Sequence, residues 1–336
     1  MASILNIALA YIAIIPDMNI PAKQTFQHVQ FLEIDDSHAG QRVDNFLINL
    51  LKGVPKTHIY RIVRKGEVRI NKGRCEVSYK LKHGDIIRVP PIRVAEKNAP
   101  PIIQPSLRFN LENQILYEDE GFIVLNKPSG FAVHGGSGVN SGIIEALRQI
   151  RPQQKFLELV HRLDKETSGC LLIAKKRSVL NILHDFFRGD GIQKTYIALL
   201  AGQFQRKKQI VDVPLLKNVA QSGERLVTVS KAGKSAETLF TRLNQFEHAT
   251  LVHAAPKTGR THQIRVHAAW LGHPIVGDTR YGEDAVNKTF KNRGYKRLFL
   301  HAEQLRFNHP ISGTPLHFSA PLPEDLVELL NHEKPL

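Results

Sequence analysis

The chain has 336 residues, of which 42% are hydrophobic and 23% are charged. This composition is typical of globular proteins, excludes a collagen-like or wholly disordered chain, and at this length favours two domains. The 46 Lys and Arg residues outnumber 31 Asp and Glu, and the net charge of +15 indicates a polyanionic partner, with solubility alone as the alternative explanation.

Cysteine content and the N-terminus restrict the compartment and the start of the chain. The only cysteines are Cys75 and Cys170, too few for a disulfide framework or a cysteine zinc site, so we expect a reducing cytoplasm. The longest apolar stretch, residues 4–15, is shorter than the roughly 20 residues of a spanning helix and has no Lys or Arg before it. We predict that residues 1–28 are an N-terminal extension and that translation starts at Met18.

Residues 29–98 are predicted to form a small, densely basic domain, because residues 41–98 carry 14 basic and 5 acidic residues. Apolar spacing and alternation predict two helices and then two strands, at residues 43–51, 57–65, 67–70 and 85–89. Thr57 is the predicted N-cap of the second helix, and Gly66 is predicted just past its end.

One face of the second predicted helix is basic. It carries no acidic residue to pair with, and more cations follow directly. Such a face is either simply solvated or in contact with phosphates, and we favour phosphate contact. The predicted contact residues are Arg61, Arg64, Lys65, Arg69 and Lys72. Residues 40–46, 60–71 and 84–87 resemble the S4-type RNA-binding domain, which implies the same role.

A proline-rich linker at residues 99–113 is predicted to precede a larger domain, residues 114–336. Strands are predicted at 121–126, 170–174, 194–201, 225–230, 237–243, 250–255 and 298–306. Helices are predicted at 142–150, 179–188, 262–271 and 323–330. The mixture has no regular βαβ rhythm, so the predicted fold class is α+β, built on a mixed, largely antiparallel sheet.

Three polar segments of this domain stand out, at residues 117–136, 161–169 and 258–278. In the second, Asp164 lies between cations in a loop before a buried strand. It is either part of a structural ion pair or an ionised nucleophile or base. A local triad of Ser168, His161 and Asp164 is disfavoured, because triads are assembled from distant segments.

Common signatures of other enzyme classes are missing from the sequence. It contains no Walker A sequence, no G-x-S-x-G elbow and no H-E-x-x-H helix. His262 and His267 are five residues apart, which does not place them as paired ligands on one helix face. We therefore expect no metal and no other cofactor.

The three segments His161-Arg-Leu-Asp-Lys-Glu-Thr-Ser-Gly169, Thr258-Gly-Arg-Thr-His-Gln-Ile-Arg-Val-His267 and Gly272-His-Pro-Ile-Val-Gly-Asp278 are similar to the motifs of RluA-type pseudouridine synthases. The resemblance covers nearly all of residues 115–320. It implies a mixed sheet with a central cleft. It also implies isomerisation of specific uridines in 23S ribosomal RNA by base flipping, glycosidic bond cleavage and reattachment at C5.

The resemblance assigns roles to three positions. Asp164 matches the essential catalytic aspartate, Tyr196 the tyrosine that stacks on the target base, and Arg265 the basic partner of the aspartate. Without the resemblance, Tyr196 is equally well explained as a core residue and Arg265 as a structural cation. Further RNA contacts in this domain are expected from His134, His161, Arg162, Arg260 and His262, although both His134 and His161 could instead shape their loops.

Two classes of function compete at this point. The first is an RNA isomerase, and the second is a non-catalytic RNA-binding factor of ribosome assembly. A membrane-surface protein is a weaker third reading, because no basic amphipathic helix with large aromatic residues supports it. The expected partner is 23S ribosomal RNA or a large-subunit assembly intermediate, and we expect a monomer.

Overall fold

The computed structural model describes residues 28–35, 37–51, 53–92, 111–135, 141–219 and 225–336. The predicted N-terminal extension up to residue 27, the start at Met18 and most of the predicted linker lie outside these residues. The chain divides into two compact units. Residues 28–34 and 41–92 belong to the first, and residues 35–40 and 111–336 belong to the second.

The first unit packs two short helices on a three-stranded antiparallel sheet. Its elements are β1 (Gln30–Glu33), α1 (Val43–Leu50), α2 (Lys56–Arg64), β2 (Arg69–Ile70) and β3 (Ile86–Val89). The strand order is β1-β3-β2. Leu47, Ile59, Ile62 and Ile87 are buried together, so the predicted apolar stripe of the second helix faces the core.

The two ends of α2 differ in how well the sequence predicted them. The prediction of Thr57 as N-cap is wrong: Pro55 is the N-cap residue, and no side chain caps the helix. The Pro55 carbonyl already accepts the first N–H groups, which places Thr57 inside the first turn. Gly66 does follow the C-terminus, with φ +74°, and its N–H donates to Val63 while that of Glu67 donates to Ile62. These two bonds form a Schellman motif, which requires the left-handed conformation that glycine tolerates.

The second unit is built on one large sheet. Its elements in chain order are β4 (Ile115–Glu118), β5 (Phe122–Lys127), α3 (Ile143–Ile150), β6 (Glu158–Leu159), β7 (Ser168–Ala174), α4 (Arg177–Arg188), β8 (Ile192–Ala201), β9 (Lys208–Asp212), β10 (Leu215–Val219), β11 (Arg225–Val229), β12 (Glu237–Gln245), β13 (Ala249–Pro256), α5 (Gln263–Trp270), α6 (Asp284–Asn292), β14 (Leu300–Asn308), β15 (Pro315–Ser319) and α7 (Glu324–Asn331). A short 3₁₀ turn, Glu112–Gln114, precedes β4.

Ten strands form the sheet in the order β4-β5-β7-β14-β8-β13-β12-β9, with β15 paired to β14 and β6 to β7, while β10 and β11 form a separate ribbon. Among the described strands, β7 and β14 are the only parallel pair. The predicted mixed, largely antiparallel sheet is therefore confirmed. No helix in the described part of the chain is both long enough and apolar enough to cross a bilayer.

Helices cover both faces of the sheet next to β7, and this explains the continuous apolar run of that strand. Leu171 and Ile173 pack in the cluster that contains α3, and Leu172 and Ala174 pack in the cluster that contains α4. Successive side chains of a strand point to opposite faces, so a strand covered on both sides is apolar throughout. All seven residues of β7 are buried, which fixes the start of this strand, and the loop before it, relative to the sheet.

Gly169 is required where β7 meets β14. Its φ is +108°, and a Cβ at this position would collide with the backbone of Ala302 in the paired strand. We expect Gly169→Ala to destabilise the second unit by on the order of 3 kcal/mol, because both the backbone angle and the close approach exclude a side chain. Thermal and urea unfolding measure this.

Gly313→Ala is the matched control for this change. Gly313 also has a positive φ, +74°, but nothing lies within 4 Å of the position a Cβ would take. The expected loss there is only about 1 kcal/mol, from backbone strain alone. Equal losses in the two variants would contradict the importance of the β7–β14 approach.

Candidate active site

Asp164 lies in the loop between β6 and β7, and a neighbouring loop holds that loop in place. The buried ammonium group of Lys127 donates hydrogen bonds to the carbonyl oxygens of Pro128 (2.7 Å), Phe131 (2.8 Å) and Lys165 (3.1 Å). The Ser129 hydroxyl donates to the carbonyl of Glu166 at 2.7 Å. An ammonium group has three N–H donors, so Lys127 is fully satisfied and joins the loop after β5 to the residue that follows Asp164.

Helix α5 brings Arg265 to Asp164 from the other side of the cleft. The Nη1 group of Arg265 donates to Oδ2 of Asp164 at 3.4 Å. The Nε and Nη2 groups donate to the two carboxylate oxygens of Asp278, each at 2.7 Å. This is a bidentate pair, the strongest arrangement available to arginine and a carboxylate. Arg265 is therefore anchored by Asp278 and presents its remaining edge to Asp164.

Burial and charge act in opposite directions on this group of residues. Asp278 is 1% exposed, and burial alone would raise its pKa, yet the hydrogen bonds and the charge of Arg265 hold the pKa of Asp278 below its usual value. Burial likewise opposes the charged form of Arg265, but the carboxylates of Asp278 and Asp164 raise its pKa. Arg265 and Asp278 are thus held in their charged forms at neutral pH.

His262 precedes α5 and occupies a second position beside the carboxylate. Its Nε2 lies 3.7 Å from Oδ2 of Asp164, and its Nδ1 is 2.7 Å from the hydroxyl of Tyr281. Burial lowers the pKa of His262, which favours the neutral ring. Its φ is +54°, a left-handed conformation that costs a non-glycine residue on the order of 1–2 kcal/mol. Strain of this kind, held by surrounding contacts, is concentrated at functional sites.

Tyr196 lies on β8 and is the third of the predicted catalytic residues, with Asp164 and Arg265. It is partly buried and packs against two core clusters of the second unit. Burial and the nearby carboxylate of Asp164 raise the pKa of the Tyr196 phenol, so the ring stays neutral. Its ring offers an apolar surface in the same cavity as the charged pair of Asp164 and Arg265. Such a combination suits a nucleobase, which is planar and carries polar groups at its edges.

One cavity of about 630 Å³ lies in the second unit, and Asp164, Tyr196, His262 and Arg265 line it. The predicted catalytic residues Asp164, Tyr196 and Arg265 all face it. Its charged lining is mostly basic: Arg162, Arg188, Lys194, Lys257, Arg260 and Arg265 against Asp164, Asp190 and Glu237. The size and charge of the cleft suit one nucleotide of a polyanion.

The structure brings some of the predicted RNA-binding residues to this cleft and leaves others elsewhere. His161, Arg162, Arg260 and His262 line it, whereas His134 is exposed and does not. His161 accepts the backbone N–H of Leu172 with Nε2 and stacks on Phe187 with ring centroids 4.6 Å apart. These contacts favour the loop-shaping alternative for His161, which also lines the cleft.

Two functional residues received no role from sequence reasoning. Asp278 ends a segment that the sequence analysis had singled out, but nothing in its spacing indicated that it pairs with Arg265. Tyr281 orients His262 and lies under Arg265, whose guanidinium carbon is 5.1 Å from the ring centroid. Both side chains are brought to α5 by the turn at residues 272–282, whose conformation is a tertiary feature.

The first unit carries the second predicted site, a basic surface. Arg61 and Arg64 are exposed on α2, Lys65 is exposed at its C-cap, and Arg69 and Lys72 are exposed a few residues further along the chain. Among the described residues, no carboxylate lies within 4 Å of these five cationic groups. Unpaired, exposed cations at helical spacing are available to phosphates.

Comparison with known proteins adds to this geometry. The family model of RNA pseudouridylate synthase matches residues 121–270, and that of the S4 domain matches residues 41–87. The chain is 55% identical over 307 residues to the ribosomal large subunit pseudouridine synthase C of Haemophilus ducreyi, covering 90% of this chain and 95% of the relative. It is 53% identical over 306 residues to the protein of the same name from Escherichia coli K12, covering 90% and 96%.

A solved structure shares the fold. Human RNA pseudouridylate synthase domain containing 1 superposes with a TM-score of 0.57 and 27% identity, covering 70% of this chain and 92% of that one. Fold and sequence comparisons therefore agree.

Asp278 should contribute strongly to stability. Removing one partner of a buried ion pair costs about 3–5 kcal/mol, so we expect Asp278→Asn to lose on the order of 3 kcal/mol at pH 7. The pKa of Asp278 is lowered in the folded protein, so its contribution is complete above the unfolded carboxyl pKa and disappears as the pH falls through the folded value. Urea unfolding from pH 8 to pH 3 should show the wild type and the variant converging below about pH 4.

Asp164→Asn is the control for this prediction. Asp164 contacts Arg265 through a single 3.4 Å hydrogen bond, so its loss should leave stability nearly unchanged. A parallel offset between wild type and Asp278→Asn down to pH 3 would contradict the role given to the Asp278 carboxylate.

Proposed function

This chain belongs to the RNA pseudouridylate synthase family, and we propose that it isomerises specific uridines of 23S ribosomal RNA to pseudouridine. The observation that carries this proposal is the convergence of Asp164, Tyr196 and Arg265 in one basic cleft. The large-subunit substrate is the one named for the relatives that match nearly the full chain.

The two units have separate tasks in this proposal. Residues 29–98 are the RNA-binding domain and residues 114–336 the catalytic domain, joined by a linker at 99–113. The substrate is the ribosomal RNA or a large-subunit assembly intermediate. The protein acts in the cytoplasm as a monomer, and the reaction needs no cofactor because it exchanges one bond of the same sugar for another without a change of redox state.

The reaction begins with exposure of the target base. A uridine in folded RNA must leave its stack to enter a cavity of this size. Tyr196 then stacks on the uracil, an interaction worth about 1–3 kcal/mol that does not depend on sequence. The basic lining of the cleft neutralises the backbone phosphates that accompany the flipped base.

Asp164 then separates the base from the sugar. In one route its carboxylate attacks C1′ and the N1–C1′ bond breaks; in the other it removes a proton from C2′ to give a glycal. In both routes the uracil turns within the cleft and C5 bonds to C1′. In the first route this displaces the Asp164 carboxylate from C1′, and in the second Asp164 returns the proton to C2′. Loss of the proton from C5 then restores the aromatic ring of the base. Arg265 supports either route because, anchored by Asp278, it donates to the Asp164 carboxylate and directs it at the sugar.

Asp164→Asn tests the catalytic assignment. The amide neither attacks C1′ nor accepts a proton from C2′, so pseudouridine formation on a 23S fragment should fall by at least about four orders of magnitude. Binding of the same RNA should stay within a few-fold. In cells that lack the protein, pseudouridine mapping of 23S RNA should show sites restored by the wild type and not by this variant.

Glu166→Gln is the matched control, since it neutralises an exposed carboxylate two residues away in the same loop. It should keep near-normal activity. Restoration of the mapped sites by Asp164→Asn would overturn the catalytic role and favour the alternative, a non-catalytic assembly factor.

A second experiment tests the basic surface on α2. Replacing Arg61, Arg64 and Lys65 together with Gln should reduce the slope of log affinity against log salt by about 2 to 3 units if all three contact phosphates. Fluorescence anisotropy with a 23S fragment between 50 and 300 mM salt measures it.

The control variant replaces Lys288, Lys291 and Arg306, three exposed cations of the second unit, and removes the same net charge. It should change the slope far less. An unchanged slope in the α2 variant would mean that this face does not meet the RNA.

A further inference from the structure

Two lysines are buried among the described residues, and they differ in a way that indicates their roles. The ammonium group of Lys127 donates to three carbonyl oxygens and has no N–H left over. Lys194, 8% exposed, lies on β8 and lines the catalytic cleft. None of the residues that the structure describes accepts a hydrogen bond from its ammonium group or forms an ion pair with it within 4 Å.

The surroundings of Lys194 are weakly polar. Its Nζ lies 5.7 Å from the centre of the Phe187 ring, and Phe187 also stacks on His161, whose pKa burial lowers to about 3. The carboxylate of Asp190, in the exposed turn after α4, attracts the Lys194 ammonium group electrostatically, although the two do not form an ion pair within 4 Å. Burial lowers the pKa of Lys194 in this setting. No fully buried side-chain nitrogen or oxygen among the described residues lacks a hydrogen-bond partner, so the Lys194 ammonium group, which has no acceptor among these residues, is open to the cleft and accessible to a ligand.

Lys194 and Tyr196 share one face of β8. Alternate residues of a strand point to the same side, and two residues of rise separate them by about 7 Å. Both side chains line the cleft. A base stacked on Tyr196 therefore places the sugar–phosphate backbone of its own nucleotide within reach of a lysine one step along the strand. The neighbouring Arg162 and Arg188 make the same wall positive.

We propose that Lys194 binds a phosphodiester group directly next to the flipped uridine. This rests on the proposed function, since it assumes that a uridine occupies the cleft. A lysine suits this task because its ammonium group is a point charge with freely rotating donors, which accepts a phosphate in several orientations. Lys194 is then a substrate-binding residue, and its ammonium group, which has no acceptor among the described residues, donates to the phosphate.

The experiment combines a protein change with an RNA change. Lys194→Met keeps the length of the stem and removes the charge. The RNA is a 23S fragment containing a mapped site, with an uncharged methylphosphonate in place of the phosphate either 5′ or 3′ of the target uridine. Equilibrium binding is measured in the Asp164→Asn background, which prevents turnover.

The expected result is a coupled loss of affinity. With natural RNA, Lys194→Met should bind about 10- to 100-fold more weakly, as for the loss of a charged hydrogen bond, and its salt slope should fall by about 0.7. One of the two methylphosphonates should weaken the Lys194-containing protein to a similar degree. It should have almost no further effect on Lys194→Met, because the two changes remove the same contact.

The melting temperature distinguishes a substrate-binding lysine from a structural one, because loss of a structural lysine would lower it. Because no described residue forms a hydrogen bond or ion pair with the Lys194 ammonium group, and partial burial opposes its charge, Lys194→Met should leave the melting temperature unchanged or raise it. Lys194→Arg, which keeps the charge, should retain most of the salt slope. Asp190→Asn should bind natural RNA at least as tightly as the parent, and Lys291→Met, an exposed lysine outside the cleft, should change neither affinity nor stability.

The outcomes separate this proposal from the proposed function. If the wild-type protein forms no pseudouridine in any 23S fragment, the proposed function fails. If it is active but Lys194→Met and both methylphosphonates weaken binding additively, Lys194 contacts another group, such as a uracil carbonyl, and this proposal is overturned. A lowered melting temperature of Lys194→Met with unchanged salt slope would show a structural lysine and overturn it as well.

Discussion

The ion pair between Arg265 and Asp278 is the interaction on which the candidate site depends. Arg265 is shared unequally between two carboxylates, with two 2.7 Å bonds to the buried Asp278 and one 3.4 Å bond to Asp164. The short bonds orient the guanidinium, and the long one leaves Asp164 free to act on a substrate. A buried arginine needs a partner of this quality, because desolvation of an unpaired charge would oppose folding. The same pair connects α5 to the turn before α6. The geometry of the charged pair therefore depends on the correct folding of this turn.

Asp164 and Arg265 reach the cleft from opposite parts of the sheet, and the strands between them set their distance. Asp164 precedes β7, while Arg265 follows β13, and β14 and β8 lie between these strands. Below the Asp164 loop, His301 donates from Nε2 to the carbonyl of Ala320, so its Nδ1 accepts from the Ser168 hydroxyl, which in turn accepts from Arg297. Burial lowers the pKa of His301 to about 4, which keeps this chain of hydrogen bonds in one arrangement at neutral pH. The start of β7 is therefore held by polar bonds on one side and apolar packing on the other.

Sequence reasoning was successful where the pattern is local and failed where it is tertiary. Helix α2 and the buried strand β7 were predicted to within two residues because apolar spacing or a continuous apolar run is a strong signal. The helix α6 was missed because it is mostly polar and buries only Phe290. The edge strand β9, with only Val211 buried, was missed because half-exposed residues carry little periodicity. In the site, motif resemblance supplied Asp164, Tyr196 and Arg265, while the partnership with Asp278 depends on a turn that no local pattern specifies.

The departures from local rules in the second unit are concentrated around the cleft. His262 adopts a left-handed backbone, Lys194 has a largely buried stem and no acceptor among the described residues, and Arg265 is buried between two carboxylates. Each is unfavourable on its own, and each is held by neighbours whose contacts are ordinary: Tyr281 for His262, the β8 ladder for Lys194. Lys127, which holds the Asp164 loop but does not line the cleft, uses every donor of its ammonium group. The ammonium group of Lys194, by contrast, has no acceptor among the described residues and is open to the cleft, which leaves its donors available to a ligand.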